Sequence, residues 1–290
     1  MIFIDGIGIG EYDEEKNPFA RFPSLYFSKF INQYSQPPPF AGCIVPTDPS
    51  MGVPGLPQSA TGQTALLTGV NASKVLGRHQ SGFPTPTLRK LFKEESIFFK
   101  LEKMNKVGTF ANAFTPEYFA RPDRQISATT WSVKASKFPF RMVHHELVSG
   151  QVISHDLTNE FLFTMGHRVP IRKPETSAEI LVAIAESVDF CLFEFILLDV
   201  IGHQQDMVWA ESELKKLNHF LNTVLNQIDL DHHLVLVTSD HGNFEDLSIS
   251  THTHNLVPTI LWGKDRNKIA KKIKRIEDVP RAILSYIQEM

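Results

Sequence analysis

Aspartate and histidine residues recur next to apolar runs in several parts of the 290-residue chain. Two apolar runs, residues 190–199 and 233–240, both end in aspartate, and a histidine follows one or four positions later. If both runs are buried parallel strands, their carboxylates meet at one edge of a sheet, where their repulsion is costly unless cations neutralise it. Carboxylate oxygens and imidazole nitrogens suit two divalent metal ions. The candidate ligands are Asp5, Asp199, His203, Asp240, His241 and His252.

Ser59 is the candidate nucleophile. It begins the segment SATGQTALLTG, whose small residues are typical of a helix start. A hydroxyl at a helix amino terminus beside a divalent cation can be held as an alkoxide, and the helix N–H groups can stabilise a phosphate. A simple N-cap role for this serine is the alternative.

The opening segment MIFIDGIGIG could be a dinucleotide-binding loop or could serve to present Asp5. A dinucleotide-binding loop needs the spacing G-x-G-x-x-G and a helix directly after it. The residues that follow are acidic and contain Pro18 and Pro23, so no such helix is predicted. We therefore interpret Asp5 as a carboxylate at the end of a strand, with the glycines keeping the site uncrowded. A plain turn aspartate is the alternative.

The elements that must position these residues alternate between strands and helices. Residues 190–199 and 233–240 are predicted strands, and between them apolar residues recur every three or four positions from Leu214 to Ile228, which predicts a crossover helix. Pro174 marks the predicted start of the helix before the first of these strands. The sequence therefore predicts an α/β fold with a doubly wound, mostly parallel sheet.

The chain is expected to consist of a regular core and an irregular insertion. Residues 1–122 and 168–290 are predicted to form one metal-binding α/β core. The regular pattern is lost over residues 123–167, which we predict to be a small cap or lid-like insertion.

Composition and charge exclude several classes of partner. The formal net charge is −3 with both signs mixed, so no nucleic-acid partner is expected, and the basic stretch 268–281 is interpreted as the solvated face of a C-terminal helix. No apolar run approaches the ~20 residues that span a bilayer, and no charged segment precedes the first strand, so neither a membrane nor a secreted location is expected. Cys43 and Cys191 lie far apart and are predicted to be reduced core residues of a cytoplasmic protein.

Five short motifs together resemble the alkaline phosphatase superfamily, most closely its branch of cofactor-independent phosphoglycerate mutases and phosphopentomutases. In chain order they are FIDGIG, SATGQ, DVIGH, SDHGN and HTHNLVP. The resemblance implies two divalent metal ions, Mn²⁺ or Zn²⁺. It implies that one ion is held by Asp5, Ser59, Asp240 and His241, and the other by Asp199, His203 and His252.

Two departures from the mutases bear on the reaction. Gln63 stands where these mutases usually carry a histidine, and the insertion is much smaller than their cap domains. A mutase must keep water from the transferred phosphoryl group, which lid closure usually achieves. We therefore expect a phosphatase that acts on a small phosphate ester through a phospho-Ser59 intermediate, with a phosphomutase of a sugar phosphate or phosphoglycerate as the alternative.

The sequence also bears on other possible functions and on one possible substrate contact. A phosphodiesterase or a non-catalytic metal-binding relative stays open, whereas the ATGQT that follows Ser59 does not fit the nucleophile motif of sulfatases. Arg78 lies directly after the nucleophile segment, and its guanidinium could bind a substrate phosphate in a bidentate manner. The alternative is a loop arginine paired with a surface acid.

Overall fold

A computed structural model describes residues 1–33, 37–143, 147 and 149–289. Its strands form a six-stranded sheet and a small two-stranded one. The strands are β1 (Ile2–Ile4), β2 (Cys43–Thr47), β3 (Gly108–Phe110), β4 (Ala113–Phe114), β5 (Arg141–Met142), β6 (Phe190–Phe195), β7 (Leu234–Thr238) and β8 (Val257–Gly263). The helices are α1 (Pro18–Arg21), α2 (Ser59–Thr68), α3 (Ala72–Leu76), α4 (Pro86–Glu95), α5 (Ile97–Lys103), α6 (Pro116–Phe119), α7 (Ala128–Lys134), α8 (Glu160–Thr164), α9 (Pro174–Glu186), α10 (Leu197–Gln204), α11 (Met207–Gln227), α12 (Arg266–Ala270) and α13 (Asp278–Gln288).

The main sheet is mixed but mostly parallel. Its strand order is β2-β8-β7-β1-β6-β3, and the four strands from β7 to β3 run parallel to one another. β8 runs antiparallel to both of its neighbours, β7 and β2. The predicted α/β fold with a mostly parallel sheet is confirmed.

The two faces of this sheet carry separate apolar cores. In β6, Phe193 and Phe195 contribute to the core that contains α9 and α11, whereas Leu192 contributes to the core that contains α2 and α13. This division follows from the strand itself, because successive side chains point to opposite faces. Helices cover both faces, as the doubly wound arrangement requires.

Two predicted helices are confirmed in the core on the first face. α9 begins at Pro174, and α11 buries Leu214, Leu217 and Leu221 along one stripe. The two helices pack against each other. Asp206 caps α11, since its side chain accepts a hydrogen bond from the Trp209 N–H.

One predicted strand ends earlier than expected. β6 stops at Phe195, and Asp199 lies in the first turn of α10 rather than at the end of a strand. A short apolar run does not distinguish a buried strand from the start of a buried helix, which is why the prediction was wrong. The backbone of Ile196 already has helical angles, φ −99° and ψ −11°. Asp199 therefore sits where the helix dipole favours a negative charge.

The basic stretch 268–281 is not one helical face, which corrects another expectation. α12 ends at Ala270 and α13 begins at Asp278. Between them Ile273 and Ile276 are buried in the core on the second face, so the chain bends to insert both side chains. The Asp278 carboxylate accepts hydrogen bonds from the backbone N–H groups of two residues in this turn.

The predicted insertion contains elements that contact the core. α7 packs against α2, α4 and α5, and β5 pairs in parallel with β4. Residues 144–146 and 148 of this segment, and residues 34–36 and 290 of the predicted core, lie outside the described residues. The boundaries at residues 123 and 167 stay a prediction.

Cys191 is buried in β6 and Cys43 is half-buried in β2, and both are free thiols. Across the described residues, every helix is either too short or too polar to cross a lipid bilayer.

Replacing Gly62 with alanine is expected to lower the free energy of unfolding by about 1–3 kcal/mol, because the added methyl group overpacks a tight contact. A Cβ atom at this position of α2 would lie 2.8 Å from the backbone oxygen of Asp240. The sign is diagnostic, since the same change in an exposed helix stabilises by up to about 1 kcal/mol. Urea unfolding measures the difference, and a stabilised variant would contradict the close approach of α2 to the end of β7.

Candidate metal centre

The candidate ligands come together at the carboxyl edge of the parallel strands. Asp5 follows β1, Asp240 and His241 follow β7, and Asp199 lies in α10 directly after β6. Ser59 is the first residue of α2, whose amino terminus faces the same edge. Open α/β sheets place their ligand sites at this edge because the loops after adjacent parallel strands converge there.

The first group of ligands surrounds the His241 Nε2 atom. This nitrogen lies 3.4 Å from Asp5 Oδ1, 3.4 Å from Asp240 Oδ2 and 3.0 Å from Ser59 Oγ. The ligand atoms of Asp5, Asp240 and His241 all lie within 4.8 Å of one another. The four residues that the family resemblance implies for one metal ion are therefore adjacent.

The second group contains Asp199, His203 and His252. His252 Nε2 lies 3.8 Å from Asp199 Oδ1 and 3.3 Å from His203 Nε2, and His203 Nε2 lies 3.4 Å from Asp199 Oδ2. His241 also borders this group: its ring stacks on His252 at a centroid distance of 3.6 Å, and its Nδ1 atom lies 4.0 Å from Asp199 Oδ1. Two candidate metal sites thus lie side by side, with His241 between them.

Burial and crowding set the charges of the carboxylates. Burial, reinforced by the other two aspartates, raises the pKa of Asp5 well above its ordinary value. Burial and the nearby Asp199 carboxylate raise the pKa of Asp240 to about 7. Burial also opposes the charged form of Asp199, but the hydrogen bond with His203 and the charge of His241 outweigh it and lower its pKa to about 2. Without a cation, the cluster is an unfavourable place for charge.

Several buried polar atoms of the cluster have no hydrogen-bond partner. These unpartnered atoms are suitable ligands for metal ions. They are Asp5 Oδ1, both carboxylate oxygens of Asp240 and His241 Nδ1. Buried polar atoms without partners cost free energy, so natural proteins rarely leave several together. Divalent cations would satisfy them, and a set of oxygen and nitrogen donors without sulfur suits Mn²⁺ or Zn²⁺.

Two histidines have the Nδ1 atom fixed as a hydrogen-bond donor, which leaves Nε2 for a metal ion. His252 Nδ1 lies 2.8 Å from the Pro57 carbonyl oxygen, and His203 Nδ1 lies 2.8 Å from the Ser250 carbonyl oxygen. A carbonyl oxygen can only accept, so each Nδ1 atom must carry the hydrogen and donate it. In the neutral ring the lone pair is then on Nε2, which in both residues faces the cluster. Without a cation, the hydrogen bond with Asp199 raises the pKa of His203 to about 9, so its Nε2 atom also carries a proton, which a metal ion would displace.

Gln63 and Asn243 orient two of the carboxylates. Gln63 Nε2 donates to Asp5 Oδ2 at 3.1 Å, and Asn243 Nδ2 donates to Asp199 Oδ1 at 2.7 Å. Gln63, which stands where the mutases usually carry a histidine, therefore supports a ligand here.

Glu245 is the functional residue that the sequence reasoning missed. Its buried carboxylate accepts hydrogen bonds from the Gly8 N–H, the Asn243 N–H, the Thr253 hydroxyl and the Asn255 amide. It therefore ties together the loops that carry Asp5, His241 and His252. The available signal was its place in the motif SDHGNFED, three residues beyond the DHG that carries the ligands.

The opening glycines have a second purpose besides the one predicted. A side chain at Gly8 would overlap the Glu245 carboxylate, and a Cβ atom at Gly6 would lie 2.7 Å from the Cβ atom of Asp199. Gly6 also has a φ of 76°, in the left-handed region that glycine favours. These glycines let the supporting groups approach closely, in addition to leaving the site uncrowded.

A cavity of about 460 Å³ opens beside the cluster, and Asp5, Ser59 and Asp199 form part of its wall. Ser59 is not the N-cap of α2, since Gln58 occupies that position, so the alternative role for this serine is wrong.

Arg78 is exposed, bonds to Gln80 Oε1 at 3.1 Å and is not among the residues that line this cavity. Its predicted contact with substrate rests on the sequence alone.

Part of the chain is similar to a known family of metalloenzymes. Residues 167–289 match the family model described as the metalloenzyme superfamily. This segment contains five of the six candidate Asp and His ligands, whereas Asp5 and Ser59 precede it. The predicted resemblance to the alkaline phosphatase-like metalloenzymes is confirmed.

Curated relatives resemble only part of the chain. Over 127 residues the chain is 28% identical to the 2,3-bisphosphoglycerate-independent phosphoglycerate mutase of Ehrlichia canis, an alignment that covers 39% of this chain and 25% of that protein. Over 151 residues it is 26% identical to the enzyme of the same name from Desulforudis audaxviator, covering 48% and 30% of the two chains. The chain thus spans between a quarter and a third of the length of these relatives.

Solved structures share the fold along the whole chain. The PH0037 protein from Pyrococcus horikoshii superposes with a TM-score of 0.55 at 11% identity, covering 100% of this chain and 97% of the other. A cold-active alkaline phosphatase from a psychrophilic Shewanella species gives a TM-score of 0.55 at 12% identity, covering 99% of both chains. At these identities the likeness establishes the fold.

In the absence of metal, Asp240→Asn is expected to be more stable than the wild type at about pH 8, and the difference should shrink as the pH falls to about 5. The pKa of Asp240 is raised from about 4 in the unfolded state to about 7 in the folded state, so the penalty on folding grows as the pH rises from about 4 to about 7 and is complete above that. Urea unfolding with a chelator at several pH values measures this.

Saturating Mn²⁺ is the matched condition, in which the order should reverse because the variant has lost a ligand. A metal-free variant that is less stable than the wild type at about pH 8 would contradict charge crowding as the dominant property of the site.

Proposed function

We propose that this metalloenzyme-superfamily chain is a two-metal phosphatase that hydrolyses a small phosphate ester through a phospho-Ser59 intermediate. The observation that carries the proposal is the position of Ser59 Oγ, 3.0 Å from His241 Nε2 within the carboxylate and imidazole cluster and on the wall of the adjacent cavity. A nucleophile, candidate metal ligands and space for a substrate therefore meet at one point.

The chain's own residues would divide the work as follows. The Ser59 hydroxyl oxygen attacks phosphorus, the ester bond to the alcohol breaks, and the alcohol leaves with a proton. Water then attacks the phosphoserine and releases inorganic phosphate with Ser59 restored. The amino terminus of α2 favours the negative charge that develops on the serine and the phosphoryl group.

Two divalent cations, when bound, would neutralise the carboxylates, favour the ionised serine hydroxyl and polarise the phosphoryl oxygens. Asp5, Ser59, Asp240 and His241 are the residues proposed to hold one of them, and Asp199, His203 and His252 the other. Mn²⁺ or Zn²⁺ is proposed, since both accept oxygen and nitrogen donors.

Phosphomutase activity is the second candidate. The curated relatives named as phosphoglycerate mutases support it. Against it stand the short insertion and the half-exposed position of Ser59, because a mutase must keep its phosphoenzyme away from water. A non-catalytic relative is disfavoured, since the nucleophile and the proposed ligands are all present.

Metal-stripped protein is expected to release no phosphate from p-nitrophenyl phosphate, and activity should return on addition of Mn²⁺ or Zn²⁺. Ser59→Ala is expected to lower kcat at least about a thousandfold, because it removes the nucleophile. The matched control is Ser81→Ala, an exposed serine in the loop after α3, which should retain activity. Full activity in Ser59→Ala would exclude the covalent route.

Hydrolysis and mutase chemistry are separated by the fate of the phosphoryl group. With glycerol 3-phosphate, 3-phosphoglycerate and ribose 5-phosphate as substrates, phosphate release should match substrate loss if the phosphoserine reacts with water. Phosphorus NMR distinguishes free phosphate from isomeric esters. Accumulation of an isomer in place of free phosphate would favour the mutase.

A further inference from the structure

We infer that the cavity beside Ser59 accepts a phosphate monoester whose alcohol is apolar, preferably aromatic, and carries no second anionic group. The inference rests on the proposed function, because it specifies the substrate of that same site. It follows from the apolar side chains and the scarcity of positive charge on the cavity wall.

Apolar side chains dominate the wall away from the metal ligands. Aromatic rings from separate segments meet there: the Phe110 and Phe114 ring centroids are 5.6 Å apart, and those of Phe114 and Tyr118 are 5.1 Å apart. Aromatic walls of this kind bind apolar and aromatic groups through area burial and ring contacts. The larger apolar lining residues are Phe83, Phe110, Phe114, Tyr118, Phe161 and Met165.

Positive charge is scarce in the cavity. Among the lining residues that the structure describes, Arg121 is the only lysine or arginine, and its guanidinium lies over the Tyr118 ring at 5.1 Å. His155 also lines the cavity, but burial lowers its pKa, so it is neutral near pH 7. A substrate with a carboxylate or a second phosphate would find one exposed arginine where recognition of such groups calls for several cations.

One buried carboxyl group reinforces this selection. Glu194 lies on the wall of the cavity near the carboxyl end of β6, and burial raises its pKa to about 7. Its Oε2 atom accepts a hydrogen bond from the Thr129 hydroxyl at 2.9 Å. When Glu194 is ionised, it would repel a second anionic group of the substrate that lies away from the metal ions.

The apolar surface continues to the mouth of the cavity. Phe161 and Met165 line the cavity and yet are 48% and 56% exposed. Exposed apolar residues beside a cavity are typical of a binding site. Phe163, in the same helix α8, is 59% exposed but does not line the cavity, which provides an internal control.

The first experiment compares esters of alcohols with similar reactivity on the Mn²⁺-loaded protein: benzyl phosphate, glycerol 3-phosphate and 3-phosphoglycerate. We expect kcat/KM for benzyl phosphate to be at least about tenfold higher than for the other two, because the ring is buried against the wall. Equal or faster turnover of 3-phosphoglycerate would overturn the inference while leaving a phosphoryl-transfer enzyme established.

If no ester is turned over, the proposed phosphatase function fails, but a binding measurement still tests the preference for an apolar alcohol group. Calorimetry on Mn²⁺-loaded protein compares benzylphosphonate with methylphosphonate, which are not hydrolysed. At least about tenfold tighter binding of benzylphosphonate supports the inference. Equal affinity overturns it.

A pair of matched variants locates the contact. Phe161→Arg is expected to lower binding of benzylphosphonate about five- to tenfold, since it removes part of the apolar wall that contacts the ring. Phe163→Arg introduces the same charge in the same helix and should leave that affinity as in the wild type. If both variants weaken binding equally, the effect is not a contact with the ring and the inference fails.

Discussion

The crowding of Asp5, Asp199 and Asp240 around His241 is the constraint on which the rest of the structure depends. Three carboxylates converge where the sheet ends, and two of them are held by burial toward their uncharged forms. Such a cluster raises the free energy of the folded chain unless something of opposite charge completes it. The fold must therefore supply enough stability elsewhere to hold an arrangement that is unfavourable by itself.

The two apolar cores supply that stability. The strands of the main sheet direct large side chains alternately to its two faces, and helices cover both faces. Because both cores are closely packed, the carboxyl edge of the sheet is held in a fixed position. α2 is part of this scaffold as well as of the site, because its second turn lies against the backbone at Asp240 while its first residue is Ser59. Ser59 is thus positioned by core packing rather than by a flexible loop.

The sequence was informative where one segment carries both the pattern and the chemistry. The run 233–240 ends in the residues that reach the site, and the stripe from Leu214 to Ile228 requires a helix, so both could be predicted locally. It was misleading at Asp199, because an apolar run that turns from strand to helix has no local marker. It did not reveal the role of Glu245, because the contact with Gly8 joins two segments that are distant in sequence and the contacts with Thr253 and Asn255 depend on how the following loop folds back. The cavity wall was equally hidden, since Phe110 and Phe161 meet only in the folded chain.

Glu245 has a consequence for how the site assembles. Because one buried carboxylate accepts from groups in three different loops, none of those loops can leave its place without depriving Glu245 of a partner. The loops that carry Asp5, His241 and His252, which contribute to both candidate metal sites, therefore form one coupled unit. Its integrity depends on an acid that contributes no ligand of its own. Two tasks of a metal centre are thus divided between different carboxylates. The aspartates would attract the ions, and Glu245 holds the loops of the site in place.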